Sequence, residues 1–213
     1  MYLSKLVLNG RDRTVQADLS NAHKLHQRIM QAFPDEQREH SVERSYRPRD
    51  DWNILFRQEV ENDVVLVQSE IEPDWSKLPP RYLVNQAVKA WDLEATQFSA
   101  GRVFRFRLRA NPSKRDNQTR KTIGLFHRPD QLAWLGRQAK RCGFQPHGVD
   151  VIPSPNIYGF KGDGSSAIRI STALYQGILE VTDPLPLLTA IQQGIGRGKS
   201  YGCGLLSIAR FQG

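Results

Sequence analysis

Between Val103 and Arg109 the sequence runs Phe104-Arg105-Phe106-Arg107-Leu108-Arg109, a strict alternation of apolar and cationic side chains. A period of two places Phe104, Phe106 and Leu108 on one face of a β-strand and the three arginines on the other. One face must therefore bury in a core. The other aligns three like charges that repel unless something anionic meets them. A phosphate backbone would relieve that repulsion, and so would solvent.

The surrounding composition sharpens the choice. Residues 101–141 hold twelve Lys and Arg against Asp116 and Asp130, a surplus of ten. The whole chain of 213 residues carries only +8, so the remainder is net −2. One region supplies the positive field, which favours a polyanionic partner. With 39% hydrophobic and 24% charged residues, the chain can bury a core.

Around that strand the periodicities repeat. In the first half, Tyr2–Leu8 reads as a strand and Ala22 to Phe33 as a helix capped by Asn21 or Ser20, with Leu25, Ile29 and Ala32 as its stripe and Pro34 as its stop. Residues 35–50 read as a loop. Residues 52–58 and 64–69 read as a hairpin around Glu61-Asn62-Asp63, residues 74–84 as a short helix, and residues 86–93 as a strand. In the second half the strand 103–109 leads to a helix over 129–142 ended by Gly143. Long strands follow over 149–158 and 168–181, then a helix from Asp183 to Gln193 and a last strand over 204–209. Two β-α-β-β-α-β units predict an α+β chain of two tandem ferredoxin-like, RRM-like domains, divided as 1–95 and 96–213. The alternative is one α+β domain whose regularity is accidental.

His23 and His26 lie i, i+3 on the first helix and share a face. Histidine is the side chain whose ordinary titration spans neutrality, and the backbone N–H groups of a helix start attract anions. RNA cleavage needs such groups, to take a proton from a 2′-hydroxyl and give one to a departing 5′-oxygen. The plainer reading is two surface histidines on an amphipathic helix. A zinc site would need further ligands, and neither Cys142 nor Cys203 belongs to a metal-binding spacing. Asp50-Asp51 and the Glu59/Glu61 pair read as solvated loop acids.

Other cations extend the footprint. Lys114, Arg115, Arg120 and Lys121 fall in a segment that reads as a flexible arm, and Arg137, Lys140 and Arg141 share one helix face. The run from Gln193 to Gly204 is glycine-rich and contains Arg197 and Lys199. It is not a phosphate-binding P-loop, since position 193 is Gln and a helix leads into a strand. Five glycines imply close approach by something, and an RNA-contacting loop is expected. No aromatic strand motif of the RNP type occurs, so stacking on single-stranded bases is not expected. The N-terminus has no signal-peptide pattern and no segment approaches a membrane span, which predicts a cytoplasmic protein with no membrane partner.

Several segments together resemble one family. They are Met1-Tyr2-Leu3-Ser4-Lys5, Asn21 to His26, Phe106 through Pro112 followed by Lys114, Gln131-Leu132-Ala133-Trp134-Leu135, and the C-terminal Gly194-Ile195-Gly196 to Gly202-Cys203-Gly204-Leu205-Leu206-Ser207. This order is similar to the CasE-type CRISPR precursor-RNA endoribonucleases of type I-E systems. The resemblance implies binding of a repeat stem-loop and metal-independent cutting at the 3′ base of the stem, leaving a 2′,3′-cyclic phosphate. It implies retention of the product, partnership with other Cascade subunits and no cofactor. The family's catalytic histidine falls on His26. Three residues earlier the family often has tyrosine, and here stands His23. Arg28 and Lys161 join the expected RNA contacts. A non-catalytic RNA-binding subunit of the same fold is the alternative.

Overall fold

The computed structural model describes residues 1–34, 52–59, 63–162 and 167–211. The expected 35–50 loop, Asp50-Asp51 and the Glu61-Asn62 part of the hairpin turn lie outside them. The first strand, β1 (Tyr2–Leu8), buries Leu6 and Leu8. Two helices follow where one was expected. α1 (Arg13–Leu19) begins at Asp12, whose carboxylate accepts from the N–H groups of Thr14 and Val15 at 2.7 and 3.3 Å. Val15 is its one buried apolar residue, so there is no stripe for periodicity to read. α2 (Ala22–Met30) is capped by Asn21, which accepts from the His23 N–H at 3.1 Å. Leu25 and Ile29 bury as expected. The helix stops at Met30, and Ala32 and Phe33 bury in the turn beyond it.

β2 (Leu55–Glu59) and β3 (Val64–Ser69) pair antiparallel, and β4 (Leu83–Ala90) completes a sheet of order β2-β3-β1-β4. In place of the expected 74–84 helix stands one 3-10 turn, Trp75–Lys77. Pro79 and Pro80 oppose helix continuation there. Trp75, Leu78 and Tyr82 still fill the core.

β5 (Val103–Ala110) leads to a hairpin, β6 (Ser113–Arg115) and β7 (Thr122–Gly124), and then to α3 (Arg128–Arg141). Thus the expected flexible arm is paired backbone. Asp116 accepts from the Thr119 N–H at 2.6 Å and the Gln118 N–H at 3.1 Å, and fixes the turn. β8 (Phe144–Pro153) starts directly after Gly143, earlier than the expected 149, and tolerates Pro146 because it is an edge strand. The expected strand 168–181 is broken. β9 (Ile157–Gly159) and β10 (Ile168–Ile170) form a separate hairpin, and β11 (Ala173–Val181) lies in the main sheet. α4 (Pro184–Gln193) and β12 (Leu206–Arg210) finish the chain.

The second sheet has the order β12-β5-β11-β8. Both sheets are antiparallel, with the first and third strands of each unit central and the second and fourth at the edges. That arrangement, twice over, is the tandem ferredoxin-like fold. The 95/96 division falls inside a 3-10 turn, Ala95–Phe98, whose Phe98 already belongs to the second core. Among the described residues no helix is long and apolar enough to cross a membrane.

The two units dock through polar and close backbone contacts. Gln68 donates to the carbonyls of Ile191 and Gln192 at 2.7 and 3.2 Å. Gly194 (φ 77°) and Gly202 (φ 87°) have left-handed backbones, and a Cβ there would lie 2.9 Å from Leu55 Cδ1 and 3.1 Å from Phe56 Cε2. What approaches the glycine-rich run at these two positions is β2 of the first unit.

Candidate active site and nucleic-acid interface

α2 carries its histidines into the seam between the two units. Gly159 of β9 sits on the helix start, where a Cβ would be 2.8 Å from Asn21 Oδ1 and 3.2 Å from His23 N. Ala22, Ile157 and Cys203 form a small buried cluster beneath, with Tyr201 and Ile170 packed against it. His23 and His26 are both half-buried. The Nδ1 of His23 is buried without a hydrogen-bond partner, a position that costs about 1–3 kcal/mol until something pairs with it. His26 meets Tyr201 edge to face, with ring centroids 6.3 Å apart and planes at 64°. Tyr201 ends a 3-10 turn, Lys199–Tyr201, within the glycine-rich run. Sequence reasoning missed it, although it is the one aromatic in that run.

The arginine face of β5 needs correction as a phosphate-tracking surface. Only Arg105 is exposed. Arg107 pairs with Glu59 at 2.9 Å and donates to Gln176 at 3.1 Å. Arg109 is 5% exposed and donates to the Pro155 carbonyl at 2.8 Å. Burial pulls its guanidinium below the ordinary arginine range. The anion that relieves the repulsion comes from the chain itself. Glu59 bridges Arg107 and Arg57, the latter at 2.6 Å. Arg57 is 2% exposed and also donates to the carbonyls of Arg107 and Leu205. Glu59 is thus a docking residue at the end of β2 rather than a solvated loop acid. Arg28 is likewise engaged within its own unit. It pairs with buried Asp18 at 2.8 Å, donates to Gln31 at 3.1 Å and lies over the Tyr82 ring.

The remaining cations are placed outward. Lys114, Arg115, Arg120 and Lys121 are exposed on the β6–β7 hairpin, and Arg137, Lys140 and Arg141 are exposed on α3. Thr119 holds the Asp116 carboxyl below its usual range, so the one acid in the hairpin is committed to the turn. Arg197 reaches from the glycine-rich run to Thr122 Oγ1 at 2.7 Å. One loop therefore touches His26 through Tyr201 and the cationic hairpin through Arg197. A groove of about 740 Å³ opens between α3, α4 and this loop, lined by Arg141, Arg197 and Lys199 among others, and burial draws the Lys199 ammonium downward. Neither histidine lines the groove, which we read as part of the cationic surface rather than the reaction centre. Lys161 is exposed just after β9.

Among the described residues no three His, Cys, Asp or Glu side chains converge as a metal-ligand set. Burial pushes the Cys203 thiol up to about 12, which makes it a packing group rather than a nucleophile.

The family model described as CRISPR associated protein matches residues 1–210. The CRISPR-associated endoribonuclease Cse3 of Thermus thermophilus is 34% identical over 98% of this chain and 100% of its own length. The CRISPR system Cascade subunit CasE of Escherichia coli is also 34% identical, over 98% of this chain and 99% of its own. In three dimensions, Thermus thermophilus Cse3 bound to an RNA representing a pre-cleavage complex superposes with a TM-score of 0.80, at 32% identity and covering 98% of each chain. A match over nearly the whole length, in sequence and in three-dimensional superposition, shows that the chain belongs to the CRISPR-associated protein family as a CasE-type, type I-E member.

Proposed function

We propose that this chain is an endoribonuclease that cleaves CRISPR precursor RNA at its repeat stem-loops, once at the 3′ base of each stem. The observation that carries the reading is the histidine pair on one face of α2, held at the seam with Tyr201 against His26. In the cut, one group takes the proton of the 2′-hydroxyl just upstream of the scissile phosphate. The freed oxygen attacks phosphorus, the bond to the 5′-oxygen breaks, and a second group protonates that leaving oxygen. The products are a 2′,3′-cyclic phosphate and a 5′-hydroxyl. His26 takes one proton transfer and His23 the other.

The stem would lie along the cations of the β6–β7 hairpin and the outer face of α3, with Arg105, Lys161, Arg197 and Lys199 as further contacts. Arg107, Arg109 and Arg28 serve the fold. After cutting, the product stays bound in the cytoplasm, and the protein joins other Cascade subunits, a partnership that the name of its Escherichia coli relative supports.

The test is incubation of the full chain with repeat RNA in excess EDTA, followed by end-group analysis. Cleavage at one position with a cyclic phosphate supports the reading. Tight binding without cleavage in EDTA or in magnesium makes the chain a non-catalytic RNA-binding subunit.

A further inference from the structure

We propose that Phe160 and Tyr158 on the β9–β10 hairpin form a stacking platform for an unpaired base beside the scissile phosphate. The inference rests on the nuclease reading above and names what its site selects.

Alternation along β9 turns Ile157 and Gly159 into the seam and leaves Tyr158 outward, 50% exposed. Phe160 follows outside the strand and is 59% exposed. A single exposed ring is ordinary in a soluble protein. Two on one short hairpin, with one of them fixed to the histidine helix, are not. The Phe160 N–H donates to Asn21 Oδ1 at 3.1 Å, and Asn21 Nδ2 donates to the Phe160 carbonyl at 3.4 Å. That same Oδ1 caps α2 through the His23 N–H. One side chain therefore ties the backbone of the exposed phenyl to the first turn of the helix that bears both histidines. Gly159 permits the approach, since any Cβ there would strike the cap.

The surroundings favour a nucleotide over a protein. Arg169 stands opposite Tyr158 in the hairpin register, with its guanidinium carbon 5.8 Å from the ring centroid. Lys161 follows Phe160, and the described residues of the hairpin include no acid. Aromatic rings beside cations are the pairing by which proteins hold single strands, the ring taking the base and the cation the phosphate. The expectation that stacking plays no part came from the lack of an aromatic pattern in a sheet strand. Here the rings stand on an inserted hairpin, where that pattern does not apply. A base inside a duplex has both faces covered by its neighbours, so only a nucleotide at or beyond the stem end can occupy the platform. The cut would then fall at the junction of stem and single strand.

The experiment compares single-turnover cleavage and binding of repeat RNA by wild type, Phe160→Ala, Phe160→Trp and Tyr158→Ala. Substrates carry a normal or an abasic nucleotide immediately 5′ or 3′ of the scissile phosphate. Loss of one stacked base costs roughly tenfold or more. Phe160→Ala should show such a loss on normal RNA, Phe160→Trp should restore it, and the loss should vanish on one of the two abasic substrates. Equal activity of Phe160→Ala and wild type on normal RNA overturns the proposal, as does an undiminished loss on both abasic substrates. A 2-aminopurine at the same position reads stacking without cleavage. Its fluorescence should be quenched on binding wild type and not on binding Phe160→Ala, and absence of quenching overturns the platform. If wild type quenches but does not cut, the nuclease reading fails and the platform stands. If Phe160→Ala impairs only assembly with other protein subunits, the surface is a protein contact and the platform is wrong.

Discussion

The imidazole that we place at the reaction, that of His26, meets the Tyr201 ring edge to face. The helix cap at Asn21 fixes the start of the helix beneath it. A proton-transfer group so held contributes about 10²–10⁴-fold to rate. His26→Ala should lose cleavage on that scale in single-turnover assays while binding repeat RNA within a few fold of wild type. Cleavage within a few fold of wild type would remove His26 from the mechanism. For His23 the readout is the pH–rate profile, which two titrating partners make bell-shaped. His23→Ala should slow cutting at least about tenfold and remove one limb, and His23→Tyr should restore much of the rate with an altered profile. A His23→Ala enzyme that matches wild type at every pH makes His23 a bystander. The pair was legible because i, i+3 spacing is a local property. Tyr201 was not, because it reaches α2 from the far end of the chain, through a loop whose path no local pattern specifies.

At the scale of elements, the alternation of β5 was read correctly as a strand with an apolar and a cationic face. What covers the cationic face was not legible. A period of two assigns faces, and the partner here is Glu59 on another unit, together with backbone carbonyls. Of the three arginines, Arg107 meets Glu59 of the first unit, Arg109 meets a carbonyl of its own unit, and Arg105 is left exposed. The salt dependence of RNA binding should therefore be shared among the outward cations, those of the β6–β7 hairpin and of the outer face of α3. Lys114→Ala combined with Lys121→Ala should weaken binding and flatten the log–log salt slope by roughly two units, one for each phosphate no longer neutralised. An unchanged slope in filter-binding titrations would mean that the hairpin does not touch the backbone. The hairpin read as an arm because its turn is built by Asp116 accepting bonds three residues on, and its strands are only three residues each.

For the whole molecule, the repeated element order gave both sheets, and the missing helix at 74–84 is the main departure. There Trp75, Leu78 and Tyr82 fill the core without helical backbone. Where the units dock, Arg57 and Arg107 share the carboxylate of Glu59. Glu59→Ala leaves Arg57 buried without its counter-charge, a change that costs about 3–5 kcal/mol. It should lower the urea midpoint markedly, whereas replacing Arg57 and Glu59 together by apolar residues should recover much of the loss. An unchanged midpoint in Glu59→Ala would mean that the shared carboxylate does not hold the units together. The proposed chemistry requires the 2′-hydroxyl to be the nucleophile. Its most direct test is single-turnover cleavage, in EDTA, of repeat RNA carrying one 2′-deoxy nucleotide immediately upstream of the scissile phosphate. Wild-type affinity and no cut at that position are expected, beside complete cutting of the all-ribose RNA. Cutting of the deoxy substrate at the same site would show that water, not the RNA's own hydroxyl, attacks the phosphate.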